Sequence, residues 1–267
     1  MRIPFLVIIL IASFQSRAQE PLNLDLPNNQ RGYKHIWNET HPLEVNPEHV
    51  IYLDCRQAKN IDSLLAELPK FKNIEWLSLY GLNLKELPDS FGNFPFLKFI
   101  DISNNQLKEL PPSFNNLAEL EYAHINGNTL DKLPYLFYKL ELKELLIAGN
   151  PLADTFSIAE SWSGLTRLNL SGTSIRHISG IEHLRKVERF RLTTCRNLES
   201  LPDTFKKCRK LKFFYIDHTP IQELPSSLLK LNSLYYILLD ETEIPKTLLH
   251  EYRIRYPRKV FDDCPNC

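Results

Sequence analysis

Ser78, Asp101 and His124 follow one another at 23-residue steps and supply the three side-chain types of a hydrolytic relay. A serine nucleophile, a histidine base and an orienting carboxylate catalyse acyl transfer only when the histidine stands between the other two, so that one ring nitrogen meets each. Here the acid occupies the middle. On adjacent strands, Ser78 and His124 would stand two spacings apart, about 9.6 Å, and that order argues against nucleophilic catalysis. Asp101 and His124 alone could act as acid and base on a glycan or an ester, which is the enzymatic alternative. Asp217, His218, Asp240 and Glu241 bring together donors that suit a divalent cation, but acidic turns are ordinary solvated surface. No metal and no other cofactor is expected. The tail Cys264-Pro265-Asn266-Cys267 has the spacing of a redox or metal pair. Without a second pair or thioredoxin-like surroundings, it reads as a local bridge or two loose thiols. Arg167, Arg189 and Arg191 form a small cationic cluster able to take a carboxylate, phosphate or sulfate, unless Glu144 and Glu188 neutralise it.

The elements that must position these residues are written as a repeat. The stretch Leu97–Phe114 reads LKFIDISNNQLKELPPSF, and its frame recurs from Val50, Ile74, Leu97, Leu120, Leu142, Leu165, Val187, Leu211 and Leu234, at steps of 22 to 24 residues. Within the frame, Ile100 and Ile102 are two residues apart and share one face of a short strand. One unit cannot bury that face alone, whereas stacked neighbours bury it as a continuous column. The Leu-Pro pairs at 87–88, 110–111, 133–134, 201–202 and 224–225 stop the strand, because proline has no N–H to donate. The phenylalanines that follow (Phe91, Phe114, Phe137, Phe205) close the other side of the core.

This pattern resembles the leucine-rich repeat family over most of the chain. The resemblance implies an α/β fold: a curved, right-handed leucine-rich repeat solenoid with a parallel β-sheet on its concave face and an irregular or short-helical convex side. It also implies that Asn105, Asn128 and Asn150, at the ninth position, point inward and hydrogen-bond turn backbone, as a buried amide must. Leu82, Thr173, Cys195, Thr219 and Thr242 take that position elsewhere. Asn126, two residues from Asn128, is expected to face solvent. The units from Leu142 and Leu165 lack the Leu-Pro pair and carry DTFSIAESWSG and RHISGIEHL. They read as drifted repeats, with a more helical convex side as the other possibility.

The chain divides into residues 1–18 as a leader, 19–49 as an N-terminal cap, 50–245 as about nine repeats with the last truncated, and 246–267 as a C-terminal cap and tail. Arg2 followed by the apolar run Ile3–Phe14 and Ser16-Arg17-Ala18 has the make-up of a secretory signal peptide cut after Ala18. The run is shorter than the roughly 20 apolar residues a membrane span needs, so a secreted or periplasmic protein with no membrane span is expected. Leu22, Leu24, Leu26, Tyr33, Ile36 and Trp37 could cover the first repeat. Leu248, Leu249 and Tyr252 stand at helical spacing before Pro257 and resemble the closing helix of such arrays. Lysine plus arginine equals aspartate plus glutamate, at 32 each, and the pI is near 7.1. That balance lacks the electrostatic footprint of a nucleic-acid binder. Five cysteines leave at least one thiol outside any intramolecular pairing.

Between the inward positions lie residues facing out from the sheet, so each position forms a column across it. The third position holds Tyr52, Trp76, Phe99 and Tyr122, then Glu144, Arg167 and Arg189, then Phe213 and Tyr236. The fifth includes Asp101, His124, Arg191 and Tyr215. Aromatics suit strands and steady one another laterally, yet a run of them open to solvent marks an interaction site. Tyrosine, tryptophan and arginine also dominate binding hot spots. The expected function is a protein or peptide interaction scaffold rather than an enzyme. Its candidate binding residues are Tyr52, Trp76, Phe99, Tyr122, His124, Arg167, Arg189, Arg191, Phe213, Tyr215 and Tyr236. The further alternative is a purely structural spacer.

Overall fold

The computed structural model describes residues 33–36 and 46–262. The leader, the proposed cap residues Leu22, Leu24, Leu26 and Trp37, and the Cys264/Cys267 pair lie outside the described residues. Among the described residues thirteen strands run in chain order: β1 Tyr33–Ile36, β2 Val50–Asp54, β3 Trp76–Ser78, β4 Phe99–Asp101, β5 Tyr122–His124, β6 Glu144–Leu146, β7 Thr155–Ser157, β8 Arg167–Asn169, β9 His177–Ser179, β10 Arg189–Arg191, β11 Phe213–Tyr215, β12 Tyr236–Leu238 and β13 Val260–Asp262. Among the described residues the α-helices are α1 Ile61–Glu67, α2 Ser226–Leu229 and α3 Lys246–Arg255. The 11-stranded sheet has the order β1-β2-β3-β4-β5-β6-β8-β10-β11-β12-β13. Its strands pair in parallel, one per repeat over the nine repeats, with β1 and β13 added at the two edges.

The period-two alternation decides what each strand buries. Leu53, Leu77, Ile100, Leu145, Phe190 and Phe214, at the fourth position, are wholly buried, and so are Leu79, Ile102, Ile125 and Ile147 at the sixth. The turn after each strand is held by the ninth residue. Asn105 accepts the Leu82 and Leu84 N–H groups at 3.0 Å and donates to the Leu79 and Ile102 carbonyls at 2.9 Å. Asn128 and Asn150 repeat this one and two units on. Thr173 and Thr219 donate to a carbonyl three residues back, at 2.7 Å, and Thr173 also lies 3.5 Å from Cys195 Sγ, so they hold their turns with fewer bonds than the asparagines. Asn126 is not the free surface residue expected: its Oδ1 accepts the Ala148 N–H at 2.8 Å, because the next repeat presents that donor beside it.

On the convex side the Leu-Pro units turn through short 3₁₀ segments, such as Asp89–Gly92 and Pro112–Asn116. Phe91, Phe114 and Phe137 form a buried stack there, with neighbouring centroids 5.9 and 6.1 Å apart. Trp162 continues it in the unit that lacks the phenylalanine. The two units without Leu-Pro do not take the more helical alternative: β7 and β9 pair in a second, two-stranded parallel sheet. With no Leu-Pro pair at this point, the backbone donates across the repeats, as in Ile158 N–H to Ser179 O at 2.9 Å. Phe156 and Ile178 point into the core from Thr-Phe-Ser and His-Ile-Ser. At the C-terminal end α3 buries Leu249 and Tyr252. Lys259 Nζ then donates to the Leu234 carbonyl at 2.9 Å, and β13 joins β12.

Candidate functional site

Strand register brings the third-position residues side by side across the sheet. Tyr52 pairs with Trp76, Trp76 with Phe99, Phe99 with Tyr122, Tyr122 with Glu144, Glu144 with Arg167, Arg167 with Arg189, Arg189 with Phe213 and Phe213 with Tyr236. Parallel neighbours lie about 4.8 Å apart, close enough for rings to touch. The face therefore sorts into three zones.

The first zone is aromatic. Trp76 stacks on Phe99 with centroids 5.1 Å apart and 4° between planes. Tyr122 lies 6.5 Å from Phe99, and His124 meets the same ring edge-on at 4.9 Å. Phe99 is only 5% exposed. It was expected as an open rung of the column, and it is instead the floor that holds Trp76, Tyr122 and His124 in place. Tyr52 and Trp76 remain half-buried, and burial holds the Tyr52 hydroxyl above its ordinary pKa, with the Glu75 charge adding to that.

The second zone is a polar bridge. Glu144 is 2% exposed and spends both oxygens, one on His124 Nε2 at 2.7 Å and the other on Arg167 Nη1 at 2.9 Å. A buried carboxylate is stable only when paired in this way. Of the two acids that were the alternative partners of the arginines, Glu144 pairs with Arg167, whereas Glu188 bonds Lys212 at 2.8 Å.

The third zone places cations on rings. Arg189 lies over Phe213 at 5.1 Å and Arg191 over Tyr215 at 4.6 Å. Burial pulls the Arg189 guanidinium below its ordinary pKa, and the Arg167 and Arg191 charges pull the same way. Tyr236 touches both Phe213 and Tyr215 and donates its hydroxyl to Asp262 Oδ2 at 2.8 Å. Burial and that carboxylate hold the Tyr236 hydroxyl well above its usual range.

The residues that suggested catalysis are engaged elsewhere. No hydrogen bond joins Ser78, Asp101 and His124: His124 bonds Glu144, Asp101 accepts the Ser103 N–H at 3.0 Å, and the Ser78 hydroxyl is buried without a partner. Asp217 takes the Thr193 hydroxyl at 2.8 Å and lies 3.2 Å from His218 Nδ1. Among the described residues no group of three or more histidines, cysteines or acids is placed to hold a metal ion. None of the described helices is long and apolar enough to cross a membrane.

The Leucine Rich Repeat family model matches residues 96–117, the unit that contains β4. An internalin of Listeria monocytogenes superposes with a TM-score of 0.66 at 17% identity, covering 82% of this chain and 62% of its own. A leucine-rich repeat protein of Leptospira interrogans gives a TM-score of 0.57 at 20% identity, covering 80% and 64%. The fold is a leucine-rich repeat solenoid. A plant peptide hormone receptor, RGFR1, solved in complex with RGF2, shares this solenoid with a TM-score of 0.58 at 21% identity, covering 75% of this chain and 33% of its own. The present chain thus spans less than two thirds of each of these solved chains. No curated protein matches its sequence.

The leucine-rich repeat frame carries signals that the column reading passed over. The second position reads Glu75, Lys98, Glu121, Lys143 and then Glu188, Lys212. The structure turns these into three exposed cross-repeat ion pairs: Lys98–Glu75 at 3.0 Å, Lys143–Glu121 at 2.6 Å and Lys212–Glu188 at 2.8 Å. Tyr235, 45% exposed, packs edge-on against Phe213 at 5.4 Å and widens the third zone. Its place at the end of that alternating column was the available clue.

Proposed function

We propose that this chain is an exported, non-enzymatic scaffold that binds a protein or peptide on the concave face of its leucine-rich repeat sheet. The observation that carries the reading is that the Trp76–Tyr122 aromatic zone and the ring-backed arginines Arg189 and Arg191 stand on one sheet face. Aromatic and arginine side chains in partly desolvated settings supply most of the energy of protein interfaces. RGFR1, which shares the fold, is in complex with RGF2, in keeping with a peptide partner for this scaffold.

The ring geometry favours a protein ligand over a sugar. A sugar is held by an open aromatic face, but one face of Trp76 is occupied by Phe99, and guanidinium groups lie over Phe213 and Tyr215. Exposed ring edges carry partial positive charge and suit carbonyl and carboxylate oxygens. Export follows from the composition of the first 18 residues. The test is capture from the secreted fraction of the source cells. The wild type should retain a partner that Trp76→Ala/Tyr122→Ala loses while keeping its circular dichroism, and convex Lys139→Ala should behave as wild type. Loss with the convex change alone would place the working surface on the other side.

A further inference from the structure

Within the face proposed above, the fifth-position column limits what can lie across it. Asp101 stands on β4, and His124 on β5 is tied to buried Glu144. Leu146 on β6 is half-buried and apolar. Asn169 on β8 accepts the Ser171 N–H through Oδ1, so its –NH₂ group has no partner among the described residues. Arg191 on β10 follows. A carboxylate laid over β4 would meet Asp101, and one over β6 would meet Glu144. Like charges in such contact are rejected at interfaces. Over β10 it would meet two guanidinium groups. Arg167 is already matched by Glu144, whereas Arg191 has no ion-pair partner among the described residues. Burial, with the Arg167 and Arg191 charges adding to it, disfavours the charged form of Arg189, and an anion would relieve part of that cost.

The apolar zone is centred on β4, and β10 is reached through β5, β6 and β8. Those four spacings come to about 19 Å. An extended chain covers at most about 3.3–3.6 Å per residue, so the two zones are linked by about six residues. We propose that the ligand is an extended peptide segment carrying a large apolar side chain and a carboxylate about six residues apart. The first would sit between Trp76 and Tyr122, and the second on Arg189 and Arg191. The Asn169 amide donates to a peptide carbonyl between them. This inference rests on the concave-face reading.

The experiment selects random peptides on the whole folded chain, from one library displayed with free C-termini and one with blocked C-termini. Enriched sequences should pair an aromatic or large aliphatic residue with an acid at the stated separation. If the carboxylate is the chain end, only the free-end library enriches, with the apolar residue that far from the terminus. Synthetic copies, read by fluorescence polarisation, should weaken at least about tenfold on Arg191→Gln and on Trp76→Ala. Changing the peptide's acid to its amide should weaken binding to wild type, a comparison that needs no protein variant to fold, and should add nothing on Arg191→Gln. Enrichment without an acid or a fixed separation, with binding still lost on both variants, overturns the inference and leaves the concave-face reading standing. Peptides that bind every concave variant like wild type overturn both. No enrichment in either library overturns the peptide class.

Discussion

Replacing Asn128 with leucine tests whether the column of buried amides holds the turns of the array. Asn128 is 5% exposed; its Oδ1 accepts the Leu107 N–H at 3.0 Å, and its –NH₂ donates to the Ile102 and Ile125 carbonyls at 3.0 and 3.2 Å. Each carbonyl keeps another donor, from Asn105 and Asn150 respectively. The uncompensated loss is therefore the Leu107 N–H, in a wholly buried residue. An orphaned buried donor costs about 1–3 kcal/mol, and the two lost carbonyl bonds add roughly 1 kcal/mol each. The extra apolar surface of leucine offsets part of this, leaving about 2–4 kcal/mol. For an array of this size that lowers Tm by roughly 5–15 °C. Asn126→Ala removes one half-buried bond to Ala148 N–H and should cost about 1 kcal/mol. Thermal melts by circular dichroism, with urea midpoints as a second measure, compare the three proteins. An Asn128→Leu chain that melts with the wild type, or above Asn126→Ala, would refute the assignment of the amide column.

Burial pushes the Cys208 thiol from 9.0 up to about 12. The native state therefore keeps a proton that the unfolded chain releases, and the stability this contributes is present below pH 9 and lost as pH rises towards 12. Urea midpoints across that window should fall less steeply for Cys208→Ala than for wild type, and equal slopes would contradict the burial. Glu144→Gln should destabilise the fold by about 1–3 kcal/mol, since it removes the charge from bonds to His124 and Arg167. In a double-mutant cycle, Arg167→Ala should then cost less in that background than in wild type. Mass spectrometry of the exported protein should find a mature N-terminus at Gln19, and a cytoplasmic pool retaining Met1 would defeat the export proposal.

The array was legible because its signal is repeated. Nine frames predict nine strands, and the aligned columns fall in register from Tyr52 to Tyr236. What escaped was whatever depends on one repeat's response to its neighbour. The β7–β9 sheet forms where two successive units both lack the Leu-Pro pair, a condition no single unit displays. The strand β13 has no repeat frame, and only its pairing with β12 reveals it. Phe99 reads as an outward rung by alternation, but the stacking of Trp76 and the edge contact of His124 bury it. Asn126 likewise reads as solvent-facing until the Ala148 N–H of the next unit is placed beside it.

That burial decides which variants can separate packing from binding. In a parallel sheet the residue facing a ligand also touches its counterparts one repeat to either side. A ring on the concave face is therefore both surface and core of the ladder. Phe99 has Trp76 on one side, and Tyr122 and His124 on the other. Truncating it would free three side chains together, so a loss of binding at Phe99 would report disorder of the anchor rather than a lost contact. Trp76 and Tyr122 are half-buried and each leans on Phe99. Removing either leaves the Phe99 floor supported by the other. Arg191 is clearer still, because its guanidinium lies over Tyr215 without an ion-pair partner among the described residues. Its charge can be altered with little effect on the core. A binding surface built on such a ladder is thus best probed at its ends and at its cations, where a lost contact and a lost fold are distinguishable.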